Sequence, residues 1–448
     1  MKIAVIGGVA AGTSAAAKAR RENESAEIVI FEQGSNISYA GCGLPYYISG
    51  VTSSRDQVII NTPQEFQEKY QIEVRIKHQV TEIKPDQKKI KYLNLSNDSS
   101  GQYSYDKLII ATGAHPVELP IAGNDLKGVV KLRRVRHADR IKEIIKKRDI
   151  QQTVIVGGGL IGLEMAEAFS ELGLRVTVIE QAPQVLAQFS PEMAQLVEEH
   201  LKEKNVDLVL AEAVKEFKGQ EWVEQVITED NRKLKADLVL TSVGIQPGSK
   251  LAEQAGIETG ASGAIKVNFR METSAVDIYA AGDCAETTNL ITSQPVWMPL
   301  GSTANKQGRT AGANAAGSQA EHQGVLETVI TKIFDLTVAR TGLTEEKARQ
   351  AGFEPLPIKI TAPSHAGYYP QRKKIELKGI FAQKSGRLLG AEAVGKKGVD
   401  KRIDVCSTAI YSQLTASDLF QLDLGYAPPY STPKDAVAIL GMVAEGKM

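Results

Sequence analysis

One pattern occurs twice in this chain and constrains its fold more than any other feature. It consists of a buried strand, a glycine-rich turn, a helix, and a second strand that ends in an acid. The first copy covers strand 2–6, the turn 7–12, a helix near 13–21, and strand 28–31 before Glu32; the second covers 153–156, 157–162, a helix to 172, and 176–179 before Glu180. This order is typical of a βαβ nucleotide-binding unit. The sequence therefore predicts an α/β protein with two Rossmann-like domains.

The first glycine loop, G-G-V-A-A-G, is incomplete. It keeps the outer glycines of the dinucleotide pattern at Gly7 and Gly12, but Val9 stands where the backbone normally approaches a pyrophosphate. Taken alone, the loop equally fits a tight strand–helix turn. Glu32 favours a nucleotide site, because a carboxylate there can accept hydrogen bonds from ribose hydroxyls.

The second loop is complete, with glycines at 157, 159 and 162. The N-terminus of the helix that follows offers amide donors and positive potential to a pyrophosphate. Glu180 suits a free ribose hydroxyl and repels the additional ribose phosphate of NADPH. No arginine follows it directly, since the next residues are Gln181, Ala182 and Pro183. We therefore expect NADH to be preferred, with NADPH as the alternative.

Cys42 is the candidate nucleophile. It lies in S-Y-A-G-C-G-L-P-Y-Y, ten residues after Glu32, and no second cysteine stands four or five residues away. Pro45 suits the first turn of a helix, and a helix N-terminus would lower the pKa of the thiol. The alternative is that Cys42 is an inert small hydrophobe, as free cysteines often are. A lone reactive thiol would have to finish its chemistry with a sulfur or an oxygen from outside the chain.

The order of the motifs predicts the domain organisation. A-T-G ends at Gly113, and Pro116 and Pro120 then mark a crossing between domains; a second crossing follows Gly244 and precedes A-G-D at Asp283. We expect a first nucleotide domain in two parts, 1–116 and 246–322, with a second nucleotide domain, 117–245, inserted into it. Residues 323–448 are predicted to form a separate α+β domain. Asp283 has two interpretations. It could be a solvated turn residue, or it could accept a hydrogen bond from a ribityl hydroxyl of a flavin bound to the first nucleotide domain.

Charge and composition exclude several classes of function. Lys plus Arg and Asp plus Glu both count 53, so no net charge favours nucleic acid or a membrane surface. The three cysteines form neither a disulfide framework nor a metal-ligand spacing. No charged leader is evident, and no apolar run approaches the roughly 18 residues that span a bilayer. These features predict a soluble cytoplasmic protein without a metal site.

A short basic run follows the first glycine loop at Lys18, Arg20 and Arg21. Such a run is usually the solvated face of a helix. It is also a plausible binding place for a phosphorylated substrate, because it stands one or two turns beyond the loop, near where Cys42 should open to solvent.

The whole chain resembles the single-cysteine branch of the flavoprotein pyridine nucleotide–disulfide oxidoreductases. The motifs that carry the resemblance include the two glycine loops, S-Y-A-G-C-G-L-P-Y-Y, Y-D-K-L-I-I-A-T-G, I-Y-A-A-G-D, H-A-G-Y-Y-P, G-K-K-G-V-D-K-R-I-D-V and Y-A-P-P-Y-S. The resemblance implies two nucleotide domains, a C-terminal dimerisation domain and a homodimer. It implies FAD contacts at Gly7, Val9, Ala10, Gly12, Glu32, Val80, Thr112, Gly113, Gly282, Asp283 and Ala304. It implies NAD contacts at Gly157, Gly159, Leu160, Ile161, Gly162, Glu180 and Gly244.

Within that branch the chain is most similar to coenzyme A disulfide reductases and NADH-dependent persulfide reductases. Oxidases and peroxidases of the family carry a histidine in the first glycine loop, where this chain has Ala10. The resemblance implies that Tyr426 and Tyr368 of a partner subunit stand over Cys42. It implies a coenzyme A path along Ser14, Lys18, Arg21, Ser38, Lys69 and Lys434.

The sequence leaves the identity of the electron acceptor open. Coenzyme A disulfide or a related small disulfide is the first expectation, because of Ala10, the closing Y-A-P-P-Y-S and the K-R-I-D-V segment. Persulfide or polysulfide reduction on the same Cys42 is the first alternative, and oxygen reduction through a sulfenic acid is the second. A flavin-bearing redox sensor with little turnover is the alternative outside the enzymes.

Overall fold

Three five-stranded sheets organise the chain in the computed structural model, which describes residues 1–448. Twelve α-helices surround them: α1 Ala10–Glu22, α2 Leu44–Ser49, α3 Pro63–Tyr70, α4 Val135–Lys147, α5 Leu160–Glu171, α6 Pro191–Glu203, α7 Lys250–Gln254, α8 Gly301–Ala315, α9 Glu345–Gln350, α10 Val399–Tyr411, α11 Ala416–Gln421 and α12 Ala436–Glu445. None of these helices is long and apolar enough to cross a membrane.

The first sheet is wholly parallel. Its strands, in spatial order, are Ile278–Ala280, Lys107–Ile110, Lys2–Ile6, Glu27–Glu32 and Glu73–Ile76. The central strands are nearly continuous apolar runs, because helices or other layers cover both faces of a parallel sheet. The edge strand Ile278–Ala280 comes from a part of the chain that follows the second sheet. We call the layers around this sheet the first Rossmann unit.

The second sheet is also parallel and repeats the arrangement. Its spatial order is Asp207–Leu210, Arg175–Glu180, Gln152–Val156, Leu238–Thr241 and Val129–Val130. We call its layers the second Rossmann unit. An antiparallel pair, Ala114–Pro116 with Ile245–Pro247, joins the two chain crossings between the units. The predicted α/β class with two Rossmann-like layers is confirmed.

The third sheet is antiparallel and belongs to the C-terminal unit. Its spatial order is Val329–Ile333, Leu336–Gly342, Leu388–Gly395, Lys374–Ala382 and Pro355–Pro363. Helices α10 and α12 cover it and share a core cluster that includes Cys406, Leu419 and Leu440.

Smaller sheets and short helices complete the fold. Two three-stranded antiparallel sheets contain His78–Lys84, Lys89–Asn94 and Ser99–Ser104, and Val214–Lys218, Gln225–Thr228 and Lys233–Lys235. Thr287–Thr288 pairs with Pro295–Val296, and three 3₁₀ turns lie at Gly41–Gly43, Arg55–Val58 and Pro85–Gln87. The turn at Gly41–Gly43 places Cys42 directly before α2.

Candidate active site

Both glycine loops require glycine at their first position. Gly7 has φ +102° and Gly157 has φ +108°, which is the left-handed region. A Cβ at Gly7 would lie 2.1 Å from the main-chain oxygen of Ala111, and one at Gly157 would lie 2.5 Å from that of Ser242. The chain therefore turns tightly against the neighbouring strand at equivalent places in the two units.

The later glycines of the two loops have two roles. Gly12 and Gly162 let the helix pack closely against the turn, and Gly159 leaves open space beside the loop. A Cβ at Gly12 would lie 1.9 Å from the Gly7 oxygen, and one at Gly162 would lie 2.0 Å from the Gly157 oxygen. A Cβ at Gly159 would meet no atom within 4 Å, so protein packing does not explain that glycine. No side chain caps α1 or α5, which leaves their first amide groups available to a pyrophosphate. These observations fit a dinucleotide at each loop.

The acids at the strand ends lie in matching positions. Glu32 accepts hydrogen bonds from the amides of Gly8, at 2.8 Å, and Gly34, at 2.7 Å. Glu180 accepts from the amides of Gly158, at 2.7 Å, and Ala182, at 2.8 Å. The four bonds hold each carboxylate beside its glycine loop, with further lone pairs free to accept from ribose hydroxyls.

The predicted flavin residues of the second half of the chain meet the first glycine loop. A Cβ at Gly282 would lie 2.7 Å from the Ala11 Cβ and 3.5 Å from the Ala304 Cβ. The amide of Gly282 donates to Gln307 Oε1 at 2.8 Å. The start of α8 and the A-G-D turn therefore close over the start of α1.

The other predicted nucleotide residues lie around these loops. Thr112 Oγ1 donates to the Gly248 oxygen at 2.7 Å, and Gly113 has φ +71°. Val80 packs against the core of the first unit, beside the cluster that contains Ile6 and Phe31. In the second unit, Gly244 has φ +109° and open space around it, Leu160 is partly buried, and Ile161 is 38% exposed.

Arg133 was not predicted from the sequence, although it lies in the basic stretch L-R-R-V-R. Its guanidinium pairs with Asp283 at 2.5 Å and donates to the Ala114 oxygen at 3.2 Å. The indole of Trp297 donates to the main-chain oxygen of Asp283 at 2.9 Å. Asp283 is therefore an ion-paired and mostly buried carboxylate rather than a solvated turn residue.

Cys42 is the exposed cysteine of the chain, whereas Cys284 and Cys406 are fully buried. The thiol of Cys284 donates to main-chain oxygens of its own unit, and Cys406 lies in the core of the C-terminal unit. No disulfide is present, and neither buried thiol is accessible to a substrate. The arrangement therefore offers one reactive sulfur.

The pKa of Cys42 differs from the sequence prediction. Although the side chain is exposed, the surrounding protein partly desolvates the thiol and raises its pKa; the carboxylates of Glu164 and Asp283 raise it further, and Arg133 acts in the opposite direction. The predicted lowering is therefore wrong. Helix α2 has only six residues, and the causes that raise the pKa are partial desolvation and the two nearby acids.

Glu164 is the second residue that the sequence analysis missed. It lies on α5, five residues after Gly159, and accepts a hydrogen bond from Thr331 Oγ1 at 2.8 Å. Burial raises the pKa of its carboxyl group. Its position in the L-I-G-L-E segment of the second loop was the available signal. It links the second Rossmann unit, the C-terminal sheet and the surroundings of Cys42.

The two predicted tyrosines come together on the C-terminal unit. The hydroxyls of Tyr368 and Tyr426 lie 3.1 Å apart, and the rings are 77% and 47% exposed. Their side chains form no hydrogen bond to either Rossmann unit of the same chain. Nearby His365 is fully buried, and its ring is hydrogen-bonded to Ser364 and to the Pro370 oxygen, so it is not accessible to a substrate.

The six residues of the predicted coenzyme A path are polar and at least partly accessible. Ser14 accepts from Asn305 Nδ2 at 2.8 Å, Lys18 pairs with Glu22, and Ser38 accepts from Asn61 Nδ2 at 3.1 Å. Arg21, Lys69 and Lys434 are exposed. Arg20 binds the main-chain oxygens of Tyr70 and Gln71, which holds the Lys69 end of α3 against α1. Lys434, like the two tyrosines, lies on the C-terminal unit.

Comparison with known proteins places the chain in a family. The model for pyridine nucleotide-disulphide oxidoreductases matches residues 1–320, and the model for the dimerisation domain of the same family matches residues 328–437. The matched ranges cover both Rossmann units and most of the C-terminal unit.

Similar proteins match over nearly the full length. A Pyrococcus horikoshii NAD(P)H coenzyme A polysulfide/persulfide reductase is 38% identical over 99% of this chain and 98% of the relative. A Staphylococcus aureus coenzyme A disulfide reductase is 33% identical over 99% of this chain and all of the relative. The crystal structure of reduced Bacillus anthracis CoADR-RHD superposes with a TM-score of 0.97 at 39% identity, covering 99% of this chain and 80% of that one. Together with the glycine loops and the exposed thiol, these matches show that the chain belongs to the pyridine nucleotide-disulphide oxidoreductase family and is an enzyme that uses FAD and a pyridine nucleotide.

Proposed function

We propose that this enzyme reduces coenzyme A disulfide, or a closely related small disulfide, with electrons from NADH and through Cys42 alone. The observation that supports the proposal is the state of the three cysteines. Cys42 is exposed, whereas Cys284 and Cys406 are fully buried. A single accessible thiol cannot form an internal disulfide, so its partner sulfur must come from a substrate.

The chemistry of the thiol follows from that geometry. The Cys42 thiolate attacks one sulfur of the disulfide, which forms a mixed disulfide and breaks the original sulfur–sulfur bond. The departing thiolate then takes a proton. Two-electron reduction of the mixed disulfide restores the Cys42 thiolate and releases the second thiol after another proton is taken up. FAD, when bound, supplies the two electrons that NADH provides.

The chain's own residues position the nucleotides. The open amides at the starts of α1 and α5 bind pyrophosphates, and Glu32 and Glu180 accept from ribose hydroxyls. Arg133 fixes the carboxylate of Asp283 as an acceptor for the ribityl chain. Glu180 disfavours the additional phosphate of NADPH, so NADH is the preferred donor.

The proton source is proposed to come from a second subunit. The exposed Tyr368–Tyr426 pair belongs to the region that matches the family's dimerisation domain. In a homodimer, the pair of one subunit would stand over Cys42 of the other. The hydrogen bond between Tyr426 and Tyr368 raises the pKa of Tyr426, which keeps the phenol protonated and able to donate to a thiolate.

Persulfide or polysulfide reduction is the second candidate. It is favoured by the Pyrococcus horikoshii relative, whose name describes that activity, at 38% identity. The same Cys42 thiolate would attack the outer sulfur of a persulfide. The two candidates differ in the leaving group and in whether the substrate carries coenzyme A.

The test measures NADH oxidation by the purified holoenzyme with coenzyme A disulfide, with a coenzyme A persulfide and with oxygen alone. We expect one NADH to be consumed for every two thiols released from the disulfide. Cys42→Ser should abolish this turnover, whereas Cys406→Ala, the matched cysteine control, should retain it. Mass spectrometry of the unreduced protein should find any adduct on Cys42. Oxidation of NADH that proceeds equally well without a sulfur acceptor would reject the proposal.

A further inference from the structure

A cavity of about 160 Å³ lies in the second Rossmann unit, beside its edge strand Val129–Val130. Thr241, the last residue of the neighbouring strand, also lines it. None of the residues predicted to contact NAD is part of its lining. Its volume is close to the roughly 150 Å³ that accommodates benzene, whereas pockets for drug-sized ligands measure roughly 300–1,000 Å³. The cavity therefore fits a small molecule rather than a nucleotide.

His137 of α4 lines this cavity and has one ring nitrogen without a partner. Its Nδ1 accepts a hydrogen bond from the amide of Arg133 at 3.2 Å, and its Nε2 forms no hydrogen bond. Burial, followed by four neighbouring cations, lowers the pKa of His137 to about 4. The ring is therefore neutral at neutral pH. Because Nδ1 accepts, the proton lies on Nε2, which is free to donate.

The polar part of the lining carries an excess of positive charge. Arg140 follows His137 by three residues and lies on the same side of α4, and its guanidinium is exposed without a hydrogen bond or an ion pair. Lys131 also lines the cavity, but it pairs at 2.5 Å with Glu118, the one acid of the lining. Two donors, His137 Nε2 and the Arg140 guanidinium, therefore remain available to an anion.

The remaining lining is suited to more than a bare inorganic ion. Val117, Val129 and Val130 are its three hydrophobic residues. Small-molecule sites typically combine such apolar walls with a few polar groups that fix the orientation of the ligand. The valines can cover a short hydrocarbon body, while the two donors bind a charged group.

The cavity is also connected to both nucleotide units. The amide of Val117 donates to the Gly244 oxygen at 3.0 Å, beside the crossing between the units. Arg133, whose amide donates to His137, pairs through its guanidinium with Asp283 of the first unit. A ligand in the cavity would therefore contact residues that lie one hydrogen bond from the predicted NAD and FAD contacts Gly244 and Asp283.

We propose that this cavity is a binding site for a small organic anion, whose charged group lies at His137 and Arg140 and whose apolar body lies against the three valines. The ligand class is a carboxylate, sulfonate or phosphate ester with a body of about six heavy atoms, the size of benzene. The site takes no part in the sulfur chemistry at Cys42, and it does not depend on the proposed function.

Benzenesulfonate is the probe, because it stays anionic throughout the titration and carries a ring of the right size. Its binding to the FAD-loaded holoenzyme is followed through the histidine resonances of carbon-13-labelled protein. The chain has six histidines, and His137→Asn identifies the resonance of His137. We expect the probe to raise the pKa of His137 from about 4, because an adjacent anion favours the charged imidazolium. Benzenesulfonamide, which is neutral, and sulfate, which lacks the ring, should bind more weakly.

Arg140→Gln should raise the Kd for benzenesulfonate roughly tenfold, since a charge-assisted hydrogen bond is lost. Arg136→Gln is the matched control and should leave the Kd nearly unchanged, because Arg136 is an exposed arginine of the same helix that does not line the cavity. An unchanged Kd in Arg140→Gln, or a His137 resonance that the probe does not affect, would overturn the proposal. So would displacement of the probe by NAD, because the probe would then occupy the nucleotide site. None of these measurements requires disulfide turnover, so they are independent of the test of the proposed function.

Discussion

The hydroxyl groups of Tyr368 and Tyr426 lie 3.1 Å apart, although 58 residues separate them in the chain. Both rings are exposed on the C-terminal unit, and neither side chain bonds to the Rossmann units of its own chain. If the tyrosine pair were buried, packing in the hydrophobic core would be enough to explain it. An exposed pair on a domain of the dimerisation type is better explained by a role in a neighbouring subunit's site.

We predict that the tyrosine pair supplies the proton for the departing thiolate. Tyr426→Phe should slow disulfide turnover, and Tyr368→Phe/Tyr426→Phe should slow it further, on the order of a hundredfold, the usual contribution of a general acid. Rapid-mixing measurements should show that FAD reduction by NADH is nearly unchanged. Tyr430→Phe is the matched control, because Tyr430 is 70% exposed but its hydroxyl forms no hydrogen bond. Slower reduction of FAD by NADH in the double variant would show that the pair acts before the thiolate departs, and would contradict this role.

Subunit mixing tests whether the site is shared between two chains. Differently tagged Cys42→Ser and Tyr368→Phe/Tyr426→Phe subunits are exchanged, and the hybrids are isolated through both tags. One site of each hybrid then combines an intact Cys42 with an intact tyrosine pair, so we expect disulfide turnover to return to about half of the wild-type level if the two sites act independently. Absence of recovery in isolated hybrids would mean that each chain builds its site alone.

The carboxylate of Glu180 should set the preference for NADH. Placing the additional phosphate of NADPH against it costs about 1–3 kcal/mol, or roughly tenfold to a hundredfold in kcat/KM. Glu180→Gln should reduce the preference for NADH over NADPH, because it removes the negative charge of the side chain. The glutamine keeps an oxygen that can accept from the amide of Gly158 or Ala182. Steady-state kinetics with both nucleotides measure the ratio. Equal use of NADPH by the wild type would show that the carboxylate does not face the ribose.

The pKa of Cys42 should depend on Glu164. A nearby carboxylate disfavours the thiolate, so removing its charge lowers the pKa of the thiol and lets the thiolate form at lower pH. Glu164→Gln should therefore shift the pH profile of alkylation of the reduced enzyme by iodoacetamide to lower pH. Glu171→Gln, at the exposed end of the same helix, is the control. An unchanged profile, or a shift to higher pH, would contradict the electrostatic account of the site.

Local patterns were enough to predict most of the fold. The strand–glycine–helix–strand–acid order specified both Rossmann units, because Gly7 and Gly157 need a positive φ and Gly12 and Gly162 need close packing. Such constraints act within about thirty residues and therefore leave a readable pattern. The prolines at the crossings likewise mark the antiparallel pair between the two units.

Long-range contacts at the site could not be predicted in the same way. Arg133 reaches Asp283 across 150 residues, and Glu164 influences Cys42 from helix α5 of the second Rossmann unit. The pKa of Cys42 was predicted in the wrong direction because the local pattern shows the helix start but neither the partial desolvation of the thiol nor the neighbouring acids. The accessibility of Tyr368 and the burial of His365 also depend on packing that no short motif describes.

The central claim is that Cys42 is the sulfur that exchanges electrons with FAD. The most direct test is anaerobic titration of the holoenzyme with NADH, followed by its absorbance spectrum. We predict a long-wavelength band from the Cys42 thiolate next to FAD, which disappears in Cys42→Ser and persists in Cys406→Ala. A band of full strength in Cys42→Ser would show that the Cys42 thiolate does not lie next to FAD and would contradict the account.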